Sequence, residues 1–295
     1  MNILHIWDQS AVACVLAKNQ QKLGHNVKVL RRDGYDRYGI YEFYDEIVTL
    51  TPEENFLELC LQEANKADLV HIHSRTDALF YIRRKSNKRN KIIMHFHGSD
   101  LRGINQKYRP QDLLTNPMLL VRNSRSTRVR KKNNLLAERS ADKVLYSTAD
   151  LRRFIKRNDS VLLNIPIDTD HFTSTTNIQT NEDFFIFNTE AISNMKWIID
   201  YCKRSGINNL NVIDRMLHPI KYSDMPRFLK QFGTYVDVRY VNNKILSNLS
   251  TTALQSLACG LKVINYNLEQ VGELPFDHVG SNATNIVQKT YEEII

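Results

Sequence analysis

The residues best suited by type and spacing to do chemistry fall in two kinds of place. The first is Leu249-Ser250-Thr251-Thr252-Ala253-Leu254-Gln255-Ser256-Leu257-Ala258-Cys259-Gly260, followed by Leu261-Lys262-Val263-Ile264. A helix starting in the hydroxyl run leaves backbone N–H groups and the Ser250, Thr251 and Thr252 side chains at its positive end. An anion such as a diphosphate could sit there. Thr252-x-x-Gln255 also fits a capping box, in which Gln255 bonds back to the N–H of the cap residue. The second place is a set of strand ends. Leu69-Val70-His71-Ile72-His73 and Ile92-Ile93-Met94-His95-Phe96-His97 are apolar runs that each end in histidine and a small residue, Ser74 or Gly98. In open parallel sheets ligands collect at such ends. Asp8-Gln9-Ser10 follows the opening apolar run, residues 2–6, and starts the first helix.

These residues need elements to hold them. Ala11, Val12, Val15, Leu16 and Leu23 give that first helix an inner face, Gly24 closes it, and Val27-Lys28-Val29-Leu30 is the next strand. Strand, helix, strand with a short first loop opens a doubly wound parallel domain. Asp33–Asp45 reads as an ordered, tyrosine-rich loop, and Pro52-Glu53-Glu54 begins a second helix. A basic helix is expected around 77–89, helix only weakly over 110–141, a strand at Val144-Leu145-Tyr146 and another at Val161-Leu162-Leu163. The polar run from Thr173 to Asn181 reads as a linker. The pattern then repeats: strands at 184–187, 211–213, 236–241 and 263–265, helices at 192–204 and 223–231, the 250–259 helix, and a terminal helix over 283–295. The expected fold class is α/β, with domains at 1–172 and 184–295 and a linker at 173–183.

Composition bounds the class. The chain has 295 residues, enough for two domains, with 42% hydrophobic and 24% charged residues, as in a soluble globular protein. No apolar run approaches the roughly 20 residues of a membrane span, and the N-terminus reads as a strand rather than a signal peptide. Cys14, Cys60, Cys202 and Cys259 lie far apart, which argues for reduced core thiols in a cytosolic setting and against zinc or disulfides. The net charge of +8 is concentrated. Arg83, Arg84, Lys85, Lys88, Arg89 and Lys91 form one cluster, and Arg122, Arg125, Arg128, Arg130, Lys131 and Lys132 a second. They suit an anionic partner such as a phosphorylated substrate or an acidic lipid surface; as solvated helix faces they need none. Charge alone, without a recognised motif, argues little for nucleic acid.

Six segments in order resemble the glycosyltransferases of GT-B fold, family 4-like group. They are Lys22-Leu23-Gly24-His25-Asn26-Val27, Asp68–His73, His95-Phe96-His97-Gly98-Ser99-Asp100-Leu101-Arg102, Ala141–Thr148, Leu163–Phe172 and Ala253–Ile264. The resemblance implies two Rossmann-like doubly wound domains facing across a cleft. It implies sugar transfer from a nucleotide-sugar donor, metal-independent and with retention, the nucleotide-sugar being a co-substrate rather than a cofactor. The acceptor would meet the first domain and the donor the second. His97 matches the histidine that lines the family's site, where it could bond a sugar hydroxyl or stabilise charge; a histidine merely satisfied at a strand end is the alternative. Asp100 and Arg102, with Asp8 and Ser10, are acceptor-side or loop candidates, Asp100 and Arg102 equally readable as an internal ion pair. Lys196 sits at the family's diphosphate-gripping lysine, or is a solvated helical residue.

The departures bear on function. Trp7-Asp8-Gln9-Ser10-Ala11 stands where the family has a glycine-rich turn, and Glu190 where it has an arginine. The family's two glutamates, separated by seven residues, fall on Ser247 and Gln255. Gln255 keeps hydrogen-bonding capacity toward ribose hydroxyls without the charge. The expectation is a hexosyltransferase-type enzyme acting on a lipid-linked, glycan or other cell-surface acceptor, a lipid phosphate among them. It would be cytoplasmic, at times peripheral on an anionic inner membrane face. A non-catalytic GT-B domain binding glycan or nucleotide as a partner protein is the alternative.

Overall fold

The computed structural model describes residues 1–34, 36–102, 118–174, 183–189, 194–241 and 244–295, with side chains of 118–125 excepted. Residues 175–182 of the expected 173–183 linker, Glu190, and the Arg122 and Arg125 side chains of the second basic cluster therefore lie outside the described residues.

Seven parallel strands build the first sheet: β1 (Asn2–Ile6), β2 (Asn26–Arg32), β3 (Val48–Thr51), β4 (Leu69–His73), β5 (Lys91–Phe96), β6 (Lys143–Tyr146) and β7 (Val161–Leu162). Their order is β3-β2-β1-β4-β5-β6-β7. Alternation sends Leu4, Ile6, Val70, Ile72, Ile92, Met94, Phe96 and Val144 to one face. Ile3, Val27, Val29, Leu69, Ile93 and Leu145 go to the other. The first face is covered by α3 (Phe56–Lys66), α4 (Thr76–Lys85) and α6 (Met118–Ser140), through Cys60, Ala64, Leu79, Ile82 and Ala137. The second face is covered by α1 (Val12–Lys22), which also packs on α10 (Gly280–Glu292). Between these helices come the short α2 (Ile40–Phe43) and α5 (Gly98–Arg102). Helix α6 emerges where periodicity promised little. Among residues 126–140 it buries only Ala137 and Glu138, and the Glu138 carboxylate accepts the backbone N–H groups of Lys156 and Arg157.

The second sheet has order β14-β13-β10-β8-β9. Strands β8 (Phe184–Asn188), β9 (Leu210–Asp214), β10 (Thr234–Val236) and β13 (Lys262–Ile264) are parallel, and β14 (Gln270–Val271) is antiparallel at the edge. The expected strand over 236–241 splits. Its end becomes half of a small hairpin, β11 (Tyr240–Val241) with β12 (Lys244–Ile245). Helices α7 (Met195–Arg204), α8 (Met225–Leu229) and α9 (Thr251–Ala258) complete this half. Ala253, Leu254 and Leu257 of α9 are buried and Ala258 is half-buried, and Gly260 ends it at φ +85° with its N–H on the Leu257 carbonyl.

The two sheets share one hydrophobic cluster, running from Ile3 and Leu69 through Tyr41, Tyr44 and Phe172 to Tyr222, Phe185 and Leu254. Polar contacts cross the same junction. Tyr222 N–H donates to the Tyr38 carbonyl at 2.6 Å, and the Tyr44 hydroxyl lies 3.1 Å from that of Tyr222. Buried Asp168 accepts from Tyr44 and from Lys18. At the start of α10, Gly280 approaches so closely that a Cβ there would meet the Ile167 carbonyl at 2.8 Å and Val15 Cγ1 at 2.9 Å. Gly280→Ala should therefore cost about 1–3 kcal/mol by overpacking. Gly272→Ala, which opens into empty space, should be nearly neutral in the same denaturant titration. Equal midpoints for both variants would show that α10 is not held by this contact.

Candidate active site

In the first sheet the strand order reverses between β1 and β4, and their carboxyl ends bound the crevice where open α/β sheets take ligands. The backbone there is strained. Among the described residues five non-glycines have positive φ, and four of them are Trp7 (74°), Ser10 (56°), Ala11 (67°) and Ser74 (63°). Each costs on the order of 1–3 kcal/mol and persists only where the surroundings enforce it. Asp8 is the enforcer. It is 1% exposed, and its carboxylate accepts the N–H groups of Ala11 at 2.8 Å and Ala13 at 2.7 Å. Burial pushes its carboxyl pKa up, against those two N–H groups and the Arg31 charge. Thus the turn without glycine still takes left-handed conformations, with Asp8 directed inward as a helix cap and Ser10 exposed. The Arg31 and Arg75 guanidinium groups stand 3.1 and 4.6 Å from the Trp7 ring centre.

Beside this turn the α1 face of the sheet carries five buried histidines. Register places His5 next to His71 and His73 next to His95. His97 follows β5, and the contacts form a closed circuit. Gln20 Oε1 lies 2.8 Å from His5 Nε2, His5 Nδ1 3.0 Å from His73 Nε2, and His73 Nδ1 3.1 Å from His97 Nε2. His97 Nδ1 is 2.8 Å from Ser147 Oγ, which is 2.9 Å from His95 Nε2. His95 Nδ1 is 3.3 Å from His71 Nε2, and His71 Nδ1 is 2.7 Å from the Tyr291 hydroxyl. The Gln20 amide N–H closes the ring on Tyr291 at 3.2 Å. Burial holds His5 down to about 4 and His97 to about 3. His71, His73 and His95 are held well below 6.5 by burial and by one another's charge. Two triads, His5/His71/His73 and His73/His95/His97, have nitrogens close enough to share a metal ion. Those nitrogens are engaged in the ring, which contains no carboxylate to offset a dication. Both nitrogens of His97 are engaged too, so a ligand reaches one only by opening a ring bond.

Asp100 and Arg102 do not pair with each other. Asp100 accepts from Ser74 Oγ at 2.7 Å and from the His97 N–H at 2.8 Å, and burial pushes its carboxyl up to about 6. Arg102 instead forks onto Asp150, Nε at 2.7 Å and Nη2 at 2.8 Å, and also donates to Thr148. Asp100 and Ser74 line a cavity of about 500 Å³ with Arg130, Asn133 and Asn134 from α6. Its lining is more apolar than polar, Val129 included, and carries hydroxyl, amide, carboxyl and guanidinium groups that could bond a polyhydroxylated ligand. At the opposite ends of the strands a second cavity of about 550 Å³ is lined by Arg83, Lys88, Arg89 and Arg139. Arg83 is spent there on Asp142 and on the carbonyls of Asn90 and Ser140.

In the second sheet the order reverses between β8 and β10, and α9 starts beside their carboxyl ends. Ser250, not Thr252, is its cap: Ser250 Oγ accepts the Ala253 N–H at 3.0 Å. The expected Thr252–Gln255 capping box is therefore replaced. Gln255 is 7% exposed, and its amide makes no hydrogen bond among the described residues. Thr251 and Thr252 are half-buried in the first turn, and Ser247 is exposed. Lys196 is exposed on the first turn of α7. Two residues escaped the sequence reading. Asp237, 1% exposed, accepts the Ser250 N–H at 2.7 Å, and Arg239 Nε sits 3.3 Å from its other oxygen. Arg239 also donates to the Asn248 carbonyl, so the pair fixes the loop that presents the helix start. Two opposite charges two apart in a presumed strand were the available signal.

No known family profile matches this chain, and no curated protein does. Solved structures do. An α-glucosyltransferase in complex with UDP and a 13-mer DNA containing a central A:G mismatch aligns over 100% of this chain and 89% of its own, with TM-score 0.55 and 13% identity. Anabaena Alr3699/HepE in complex with UDP aligns over 99% and 90%, with TM-score 0.51 and 11% identity. Sucrose-phosphate synthase from Thermosynechococcus elongatus aligns over 99% and 90%, with TM-score 0.52 and 12% identity. These are GT-B glycosyltransferases, and the chain has their fold.

The ring sets a pH response. The unfolded chain takes up protons on five imidazoles as pH falls below 6.5, while the fold holds all five well below that value, His5 at about 4 and His97 at about 3. This contribution to stability is complete above pH 6.5 and is lost as pH falls through the folded values. Asp8 and Asp100, raised in the fold, act in the opposite sense. Five imidazoles held down against two carboxyls pushed up leave a net, steep loss of stability as the pH falls below 6.5. Urea unfolding at pH 7, 6 and 5 should show that steep loss; a midpoint independent of pH would mean that the imidazoles are not buried neutral.

Proposed function

We propose that this chain is a glycosyltransferase that transfers a sugar from a nucleotide-sugar donor to a glycan or lipid-phosphate acceptor, without a metal and with retention. The observation that carries the reading is the capped start of α9 at the β8/β10 crevice of a GT-B fold. Ser250 spends its N–H on Asp237 and its hydroxyl on the cap, which leaves the Thr251 and Thr252 N–H and hydroxyl groups to meet a diphosphate. Arg239 and Asp237 hold that helix start in place before the leaving group's charge develops, and Lys196, exposed on the first turn of α7, is the candidate cation for the diphosphate. The need for a metal at the leaving group is correspondingly reduced. Gln255, buried and uncharged, would meet the donor by hydrogen bonding alone.

On the acceptor side the cavity between Ser74, Asp100 and α6 offers hydroxyl and amide partners on a partly apolar wall, and Arg130 suits a phosphate on the acceptor. Among the described residues no helix is long and apolar enough to cross a membrane. The cationic cavity at the far strand ends suits an anionic headgroup, each basic residue there being worth about 1 kcal/mol at an acidic leaflet. The exposed Ser247 and neutral Gln255, standing where a donor site of this type has carboxylates, favour the second reading: a GT-B domain that binds a nucleotide or glycan without turnover.

A donor panel separates the two. UDP or GDP, and one of their sugars, should raise the melting temperature, since saturation at a hundredfold excess over Kd stabilises by about 2.7 kcal/mol. Arg239→Ala should weaken that binding at least tenfold. Ser250→Ala should lower stability by about 1 kcal/mol through the lost cap. Donor binding followed by nucleoside diphosphate release with glycan or lipid-phosphate extracts supports transfer, and the anomer of the product reports retention. Binding without release under every acceptor, DNA included, leaves the non-catalytic reading. Unchanged binding by Arg239→Ala removes the proposed donor site.

A further inference from the structure

The eight-membered ring has a property that its individual contacts do not. A neutral imidazole offers one donor and one acceptor, and Ser147, Tyr291 and the Gln20 amide each supply one donor to the circuit. The ring therefore holds eight protons for eight contacts, and every contact is satisfied only if all donors point the same way round. Two directions satisfy the count. In one, all five histidines carry the proton on Nε2; in the other, all carry it on Nδ1.

We propose that Gln20 selects the first direction and thereby acts as a positioning residue, holding His97 as the Nε2–H tautomer with the Nδ1 lone pair at the edge of the crevice. The Gln20 carbonyl faces His5 Nε2 at 2.8 Å, which makes that nitrogen a donor. The distances at Tyr291 agree. Its 2.7 Å contact to His71 Nδ1 suits a phenol O–H as donor, whereas the 3.2 Å contact to Gln20 is long for an O–H donor and ordinary for an amide N–H. From those two ends the protons follow without choice: His5 accepts from His73, His73 from His97, His97 from Ser147, Ser147 from His95, and His95 from His71.

The ring comes nearest to solvent only at the strand ends. His97 and Ser147 are each 3% exposed, and the other six members are fully buried. A ligand hydroxyl that displaced Ser147 would meet a lone pair on His97 Nδ1, and so would donate a hydrogen bond to the ring. This consequence rests on the transferase reading above; the tautomer itself does not.

Nitrogen-15 NMR of the full chain labelled at histidine tests it. The five ring imidazoles should appear as neutral Nε2–H tautomers at pH 7, identified by the changes they show in Ser147→Ala and Tyr291→Phe. Gln20→Met should leave His97 as a mixture of tautomers. Gln20→Glu should take up one additional proton at pH 7, either as a protonated carboxyl in place of the amide or as one imidazolium in the ring. Mixed tautomers in the wild type, a uniform Nδ1–H pattern, or stoichiometric zinc uptake that shifts these signals would each overturn the proposal. If the Gln20 variants fail to fold, the wild-type spectrum still decides. Failure of the transferase reading would show separately, as absent nucleotide binding with the tautomer pattern intact.

Discussion

Five imidazoles on one face of a parallel sheet can be buried only if each finds both a donor and an acceptor, and the rest of the first half is arranged around that requirement. An unsatisfied polar group in such a place costs on the order of 1–3 kcal/mol. The sheet supplies partners for part of the set: register sets His5 beside His71 and His73 beside His95, and the bonds run diagonally, from His5 to His73, His71 to His95 and His73 to His97. The remaining valences are met by Ser147 after β6, Gln20 from α1 and Tyr291 from α10. Three regions distant in sequence are thereby tied to one sheet face. The circuit is neutral, so it binds them without the desolvation penalty of buried ions.

Around this rigid face the two crevices are built by different means. The first is shaped by backbone strain, with Asp8 holding Trp7, Ser10 and Ala11 in conformations that glycine would take freely. The second is shaped by a helix start, with Asp237 and Arg239 fixing the chain just ahead of α9. In both cases a buried carboxylate receives backbone N–H, two groups on Asp8 and one on Asp237. Asp8 serves geometry first, since both of its oxygens are taken up by the chain it shapes; the second oxygen of Asp237 faces Arg239.

The layout was largely legible in the amino-acid sequence. Alternating apolar runs, the glycine at 260 and the strand-end histidines gave the α/β class, and the ordered segments gave the GT-B expectation that the solved structures support. The capping box at Thr252 was misplaced because three hydroxyl residues in succession offer the same local chemistry; Asp237, which takes the Ser250 N–H, decides among them. The strand over 236–241 ended early because the chain there turns to set Asp237 and Arg239 at the helix. The ring was invisible for a different reason. Its members are spread from residue 5 to residue 291, and only sheet register and the return of α10 bring them together. Local patterns carry no information about such a closure.

All seven strands of the first sheet lie within residues 2–162, yet Tyr291 of α10 is needed to close the circuit on their buried face. Until α10 docks, His71 and Gln20 lack their shared partner, and the face it covers is open to water. The first sheet therefore reaches its final packing only together with a helix that follows the whole second sheet in the chain. Gly280, by letting that helix lie directly against α1, acts as the latch between them.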